Sequence, residues 1–143
     1  MNQSSQVPGL TGIVGSALLA QRQRLDAIAS NLANADSITT PGGQPYRARE
    51  VVFQAIPAEG ALASSGIDQV AVAGTVLSAA PPQTHYNPGS PYANAQGYVT
   101  GSNVSATQEM VNLISATQSY SANLAILNQS EHAQQAILQS FQP

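Results

Sequence analysis

From Leu10 onward, Thr11, Val14, Leu18, Gln21, Leu25, Ile28 and Leu32 recur at alternating spacings of three and four, along one side of a helix. Ala17, Ala20, Ala27 and Ala29 flank this seam and favour helix, whereas Gly12 and Gly15 weaken the first turns by about 1 kcal/mol each relative to Ala. The pattern stops near Asn34, a residue that tolerates the left-handed backbone of a helix terminus. Ser37 to Pro45 is turn chemistry, centred on Pro41-Gly42-Gly43. A second helix opens at Ser105, with Gln108 three residues on in the form of a capping box. Met110, Leu113, Thr117, Tyr120, Leu124 and Leu127 follow in the same rhythm, to at least Asn128. There Glu131 and Gln134 fall on the seam, so it fails or shifts to Ala133, Ile137 and Phe141.

The stretch between the helices has a different texture. Val51 to Ile56 is a short apolar run closed by Pro57, and Val70, Val72, Gly74 and Val76 alternate with small or polar residues, so each predicts a strand. Gly97 to Thr100 supplies a third, the minimum for a small sheet of marginal stability. Pro81 to Pro91, with four Pro, admits only irregular or extended backbone. The expected architecture is mainly α with a small β-rich insert. Its long N- and C-terminal helices pair as a coiled coil, with a short-stranded middle domain. The expected division is a disordered lead at 1–9, an N-terminal helix at 10–36, a loop and β-rich middle at 37–104 and a C-terminal helix at 105–143. Segments 10–36 and 105–143 together form the core helical domain. Two helices alone bury little, so their neutral outer faces are expected to pack against further copies, and head-to-tail packing that does not close makes a helical filament. A self-contained bundle with a loose insert fits the same periodicity.

Composition sharpens this picture. Only 8% of the 143 residues are charged and none is Lys, Cys or Trp, while 23 Ala, 16 Gln, 16 Ser and 9 Asn take their place. A free monomer normally keeps a mixed charged surface, so a surface this poor in charge is expected to face other protein or to be disordered until it does; the alternative is a Gln/Ser-rich soluble protein of unusual composition. Four Arg (Arg22, Arg24, Arg47 and Arg49) in a chain of net charge −3 form no basic groove, which argues against nucleic acid. Leu10 to Ala20 resembles a signal-peptide core but lacks the preceding positive residues. It is also shorter than the roughly 20 residues that span a bilayer.

Catalytic patterns do not emerge. His85 and His132 lie far apart in the sequence and read as surface histidines rather than metal ligands. The acids Asp26, Asp36, Glu50, Glu59, Asp68, Glu109 and Glu131 are scattered, and no nucleophile elbow or phosphate loop is present. The expectation is therefore no enzyme, no cofactor, no metal, no small-molecule substrate and no direct membrane insertion.

Specific residues then point to a family. Leu25-Asp26-Ala27-Ile28-Ala29-Ser30-Asn31-Leu32-Ala33-Asn34 resembles the N-terminal signature of the bacterial flagellar rod, hook and hook-associated proteins. Thr40 to Arg47, Glu50 to Phe53 and Tyr86 to Val99 resemble the rod-C group of proximal-rod subunits within it, as do Asn103-Val104, Glu109 to Leu113 and Ser119 to Leu124. No such likeness extends over Pro57 to Thr84, and Thr117-Gln118-Ser119 stands where the family leads one to expect a basic residue. The resemblance implies paired terminal helices lining a hollow tube that transmits torque, with a small β-containing domain outside. It implies type III export without a cleaved signal peptide and assembly in the periplasmic rod. The implied partners are copies of itself, other rod proteins, the basal-body base and the export apparatus. The alternative is another type III secreted helical filament or translocator component.

The candidate packing and assembly residues are Val14, Leu18, Leu25, Ile28, Leu32, Met110, Leu113, Tyr120, Leu124 and Leu127. The residues singled out from the family signature are Asn31, Asn34, Pro45, Tyr46, Asn87, Pro88, Tyr92, Asn94, Gly97, Tyr98 and Asn123. For Asn31, Asn34 and Asn123 the open alternatives are helix termination within the chain and polar pairing across subunits.

Overall fold

The computed structural model describes residues 10–58, 66 and 68–140, so the lead expected at 1–9 and the seam position Phe141 lie outside the described residues. The elements run α1 (Leu10–Ala33), β1 (Ile38–Thr39), β2 (Arg49–Pro57), β3 (Asp68–Leu77), β4 (Thr84–Tyr86), β5 (Tyr98–Gly101) and α2 (Ala106–Ser140).

The end of α1 is built differently from the expectation. No described residue other than Gly has a positive φ, so Asn34 does not adopt the left-handed conformation. Instead the Asn34 and Ala35 amides donate to the Asn31 and Leu32 carbonyls at 3.1 and 3.3 Å, tightening the last turn, and Asn34 Nδ2 donates to the Ser30 carbonyl at 2.8 Å. A side chain thus satisfies a free helix carbonyl that a left-handed residue would otherwise reach. At the start of α2 the Gln108 amide donates to Ser105 Oγ at 3.4 Å. Gln108 Nε2 turns to Asn112 Oδ1 at 3.5 Å, so among the described contacts only the serine half of the box forms.

The strands fall into two sheets. β2 and β3 form an antiparallel hairpin in register from Arg49↔Leu77 to Pro57↔Asp68. Its register slips between Val52 (opposite Gly74) and Phe53 (opposite Val72), which leaves Ala73 as the extra residue of a bulge. The second sheet has the order β1-β5-β4, all antiparallel. The three strands expected from the sequence therefore do not share one sheet. Within the Pro-rich stretch, β4 occupies Thr84–Tyr86, between Pro82 and Pro88. That is an edge position, where flanking prolines disturb no ladder.

The buried apolar residues are small or β-branched: Val14, Ala20, Ile28, Ala48, Ala58, Val99, Val104 and Ala116. This overturns the expectation of a mainly α chain paired as a coiled coil. Helix makes up about 48% and strand about 23% of the described residues, in two sheets rather than one short-stranded insert. A coiled coil needs large apolar knobs from both helices in the seam. In α2, however, Met110 and Leu124 are 56% and 42% exposed, and the one fully buried side chain is Ala116. The half-buried positions beside it include Leu113, Tyr120 and Leu127 interleaved with Glu109, Asn112, Ser119 and Asn123, so large apolar side chains do not run continuously along this face of α2. α1 lies against α2 but also against β2 and β3, and its apolar side is divided among three neighbours.

Candidate assembly surface

The junction of α1, α2 and the start of β2 is built on Asn31, on the last turn of α1 and only 1% exposed. Its Oδ1 accepts from the Arg49 amide at 2.8 Å and from the Tyr46 hydroxyl at 3.1 Å. Its Nδ2 donates to the Arg49 carbonyl at 2.9 Å and to Glu109 Oε2 at 3.2 Å. An Asn side chain can accept and donate twice each, so every capacity is used. The Arg49 amide can only donate, which fixes the orientation of the Asn31 side chain. Both main-chain groups of Arg49, the first residue of β2, thereby find partners on the edge away from β3. Ser30 Oγ and the Tyr46 hydroxyl are 3.0 Å apart; because the tyrosine proton goes to Asn31, the serine donates. Glu109 Oε1 accepts from Asn112 Nδ2 at 3.2 Å, which anchors the carboxylate on α2.

A parallel arrangement ties the hairpin to the segment before α2. Asn103 Oδ1 accepts from the Ala48 amide at 2.7 Å, and its Nδ2 donates to the Ala80 carbonyl at 2.8 Å. Ser102, also 1% exposed, donates through Oγ to the Ala35 carbonyl at 2.5 Å and accepts from the Val104 amide at 3.3 Å. Arg47 closes the far side, donating from Nε and Nη2 to the Ser78 carbonyl at 2.9 and 2.6 Å.

The block from Tyr86 to Tyr98 is a compact turn at the β4–β5 end. Asn94 Oδ1 accepts from the Gln96 and Tyr98 amides at 3.0 and 2.9 Å, while the Asn87 amide donates to the Gly97 carbonyl at 2.9 Å. Gly97 has φ +82°, and a Cβ there would lie 2.9 Å from Tyr86 Cε2 and 3.2 Å from Pro88 Cβ. Tyr86 and Tyr98 pack edge to face, centroids 5.3 Å apart. Tyr92 is exposed, and Pro45 and Tyr46 are half-buried on the approach to β2.

Away from the face that α1 covers, α2 is exposed. Met110, Val111, Ile114, Leu124, Ile126, Ile137 and Leu138 are all exposed, and every residue from Glu131 to Ser140 is exposed. Near the start of α1, Leu10 shares a groove with Ala125, Ile126, Ala133 and Ile137 of α2.

Two family models match this chain. The flagella basal body rod protein model covers residues 13–42, which include most of α1 and Asn31. The C-terminal model of the flagellar basal body rod FlgEFG proteins covers residues 95–140, which include Asn103, Glu109 and all of α2. The flagellar basal-body rod protein FlgC of Escherichia coli O157:H7 is 56% identical over 116 residues, 81% of this chain and 84% of that protein. The protein of the same name from Salmonella typhimurium is 54% identical over the same shares, and that of Borreliella burgdorferi 33% identical over 83% and 87%. The chain belongs to the flagellar basal-body rod protein family.

As a basal-body rod protein it is a structural component rather than an enzyme, and its place is the flagellar rod. The matches carry this reading and not that of a translocator component. The two family models meet in space at the Asn31–Glu109 bond, while the whole β2–β3 hairpin lies outside both.

The candidate packing residues divide by environment. Val14 and Ile28 are buried, and Leu18, Leu25, Leu32, Leu113, Tyr120 and Leu127 are half-buried, whereas Met110 and Leu124 face outward. Of the signature asparagines, Asn31 is buried, Asn34 and Asn123 are half-buried, and Asn87 and Asn94 are exposed. Reasoning from periodicity passed over Glu109, Ser102, Asn103 and Ala116. One signal was available for Glu109: it is the single acid in the first turn of α2, where a carboxylate is favoured in any case. His85 and His132 are both exposed, and no group of three or more potential metal ligands converges among the described residues. No helix among them is long and apolar enough to cross a membrane.

Proposed function

We propose that this chain is a subunit of the proximal rod, packing its α1 and α2 against copies of itself and neighbouring rod proteins to build the wall of a hollow, torque-transmitting shaft. The observation that carries this reading is the number of large apolar residues left exposed on several sides of α2, from Met110 to Leu138, on a chain with too little charge to keep such a surface solvated. In this reading segments 10–36 and 105–143 act together as the helical part of the subunit. Val14, Leu18, Leu25, Ile28, Leu32, Leu113, Tyr120 and Leu127 hold the helices within a subunit or between subunits, and Met110 and Leu124 face the next one. The β2–β3 hairpin stands outside the wall.

Export through the flagellar type III apparatus and a periplasmic position between the membrane-embedded base and the distal rod complete the proposal. The cysteine-free sequence suits a chain threaded unfolded through a channel, since it cannot cross-link on the way. The test is cryo-electron microscopy of isolated basal bodies. Density for α1 and α2 of this chain on the inner wall of the proximal rod is expected; finding them outside the rod would overturn the proposal.

A further inference from the structure

We infer that the Asn31 side chain is an interlock: it lets the root of the β2–β3 hairpin close only when α1 and α2 have both docked, so that the hairpin is set by the meeting of the chain's two ends. The inference concerns one subunit and stands apart from the assembly reading. One buried amide bonds three elements at once. It covers the Arg49 amide and carbonyl at 2.8 and 2.9 Å, takes the Tyr46 hydroxyl at 3.1 Å and donates to Glu109 of α2 at 3.2 Å. At 1% exposure no water replaces a missing partner while the junction is closed.

The coupling follows from the cost of an unpaired buried group. Without the Glu109 acceptor, one Nδ2 proton of Asn31 is buried with no partner, which destabilises the closed arrangement as a whole rather than one bond of it. The open arrangement lets water reach Asn31 and, with it, the outward main-chain groups of Arg49. A change on α2, 78 residues away in sequence from Asn31, is therefore felt at the first residue of β2. The same logic runs backward, so loss of the β2 root loosens the first turn of α2. Local opening of this kind is read directly by amide hydrogen exchange.

The decisive comparison is between two variants of Glu109 in the full chain. Glu109→Leu keeps the bulk that covers the junction and removes the acceptor, whereas Glu109→Gln keeps an acceptor oxygen in the same place. Exchange at the Arg49 amide, followed by NMR, is expected to be about ten-fold or more faster in the Leu variant and within about two-fold of the native rate in the Gln variant. Asn31→Asp sets a carboxylate against both Glu109 and the Arg49 carbonyl, and adding Glu109→Gln relieves the first of these, so the double variant is expected to recover part of the protection lost in Asn31→Asp. Equal exchange in Glu109→Leu and Glu109→Gln would show that Glu109 does not control the hairpin root through Asn31, and would overturn the inference.

Discussion

The Tyr46 hydroxyl donates to Asn31 Oδ1 at 3.1 Å, across a sequence separation of 15 residues that includes the whole turn after α1. That bond folds the segment entering β2 back onto the helix it has just left. Tyr46→Phe removes the hydroxyl and leaves the ring. It is expected to lower unfolding free energy by about 1 kcal/mol, measured by urea denaturation with an unchanged slope.

Asn103 holds the Ala48 amide at 2.7 Å, and Ala48 is buried. Asn103→Ala leaves that amide without its acceptor and also releases the Ala80 carbonyl. A loss of roughly 2 kcal/mol is expected, near the middle of the range for an orphaned buried donor. Thermal unfolding of the purified chain checks this.

Gly97 is the position in the Tyr86–Tyr98 block that a side chain cannot occupy. Gly97→Ala must move the Tyr86 ring and Pro88 while holding a positive φ, so it is expected to destabilise the β4–β5 pairing by about 1–3 kcal/mol. Loss of the Tyr86–Tyr98 nuclear Overhauser contacts, with the α1–α2 contacts retained, is the expected signature.

Ala116 is completely buried on the face of α2 that meets α1. Ala116→Leu inserts bulk where two helices approach closely, and a cost of about 1–3 kcal/mol is expected. Ala122→Leu, at an exposed position on the same helix, is expected to stay within about 0.5 kcal/mol of native.

Leu25 and Leu124 separate folding from assembly. Leu25 is half-buried, so Leu25→Asp is expected to destabilise the isolated subunit as well as abolish motility. Leu124 is 42% exposed in a single subunit, so Leu124→Asp is expected to leave monomer stability within about 0.5 kcal/mol of native. In both variants export persists while rod assembly and motility fail. Complementation of a strain lacking the chain, with export followed in the culture medium, distinguishes these outcomes; normal rods from Leu124→Asp would count against the assembly reading.

Local pattern determined the elements. The three-and-four spacing of apolar residues marked α1 and α2, Ser105 marked the start of α2, and the apolar or alternating runs marked β2 and β3. Those signals are legible because they depend on neighbours within a turn of helix or a few residues of strand. The family was legible for the same reason, since its signature blocks are contiguous. What the helices bury was settled only by the tertiary structure. α1 is shared with the hairpin, and the covered face of α2 runs through Leu113, Ala116, Tyr120, Asn123 and Leu127, while Met110 and Leu124 turn outward. The partners of Asn31 were equally hidden, because a buried amide takes whichever donors and acceptors the fold brings to it. In this chain those come from positions 15, 18 and 78 residues away.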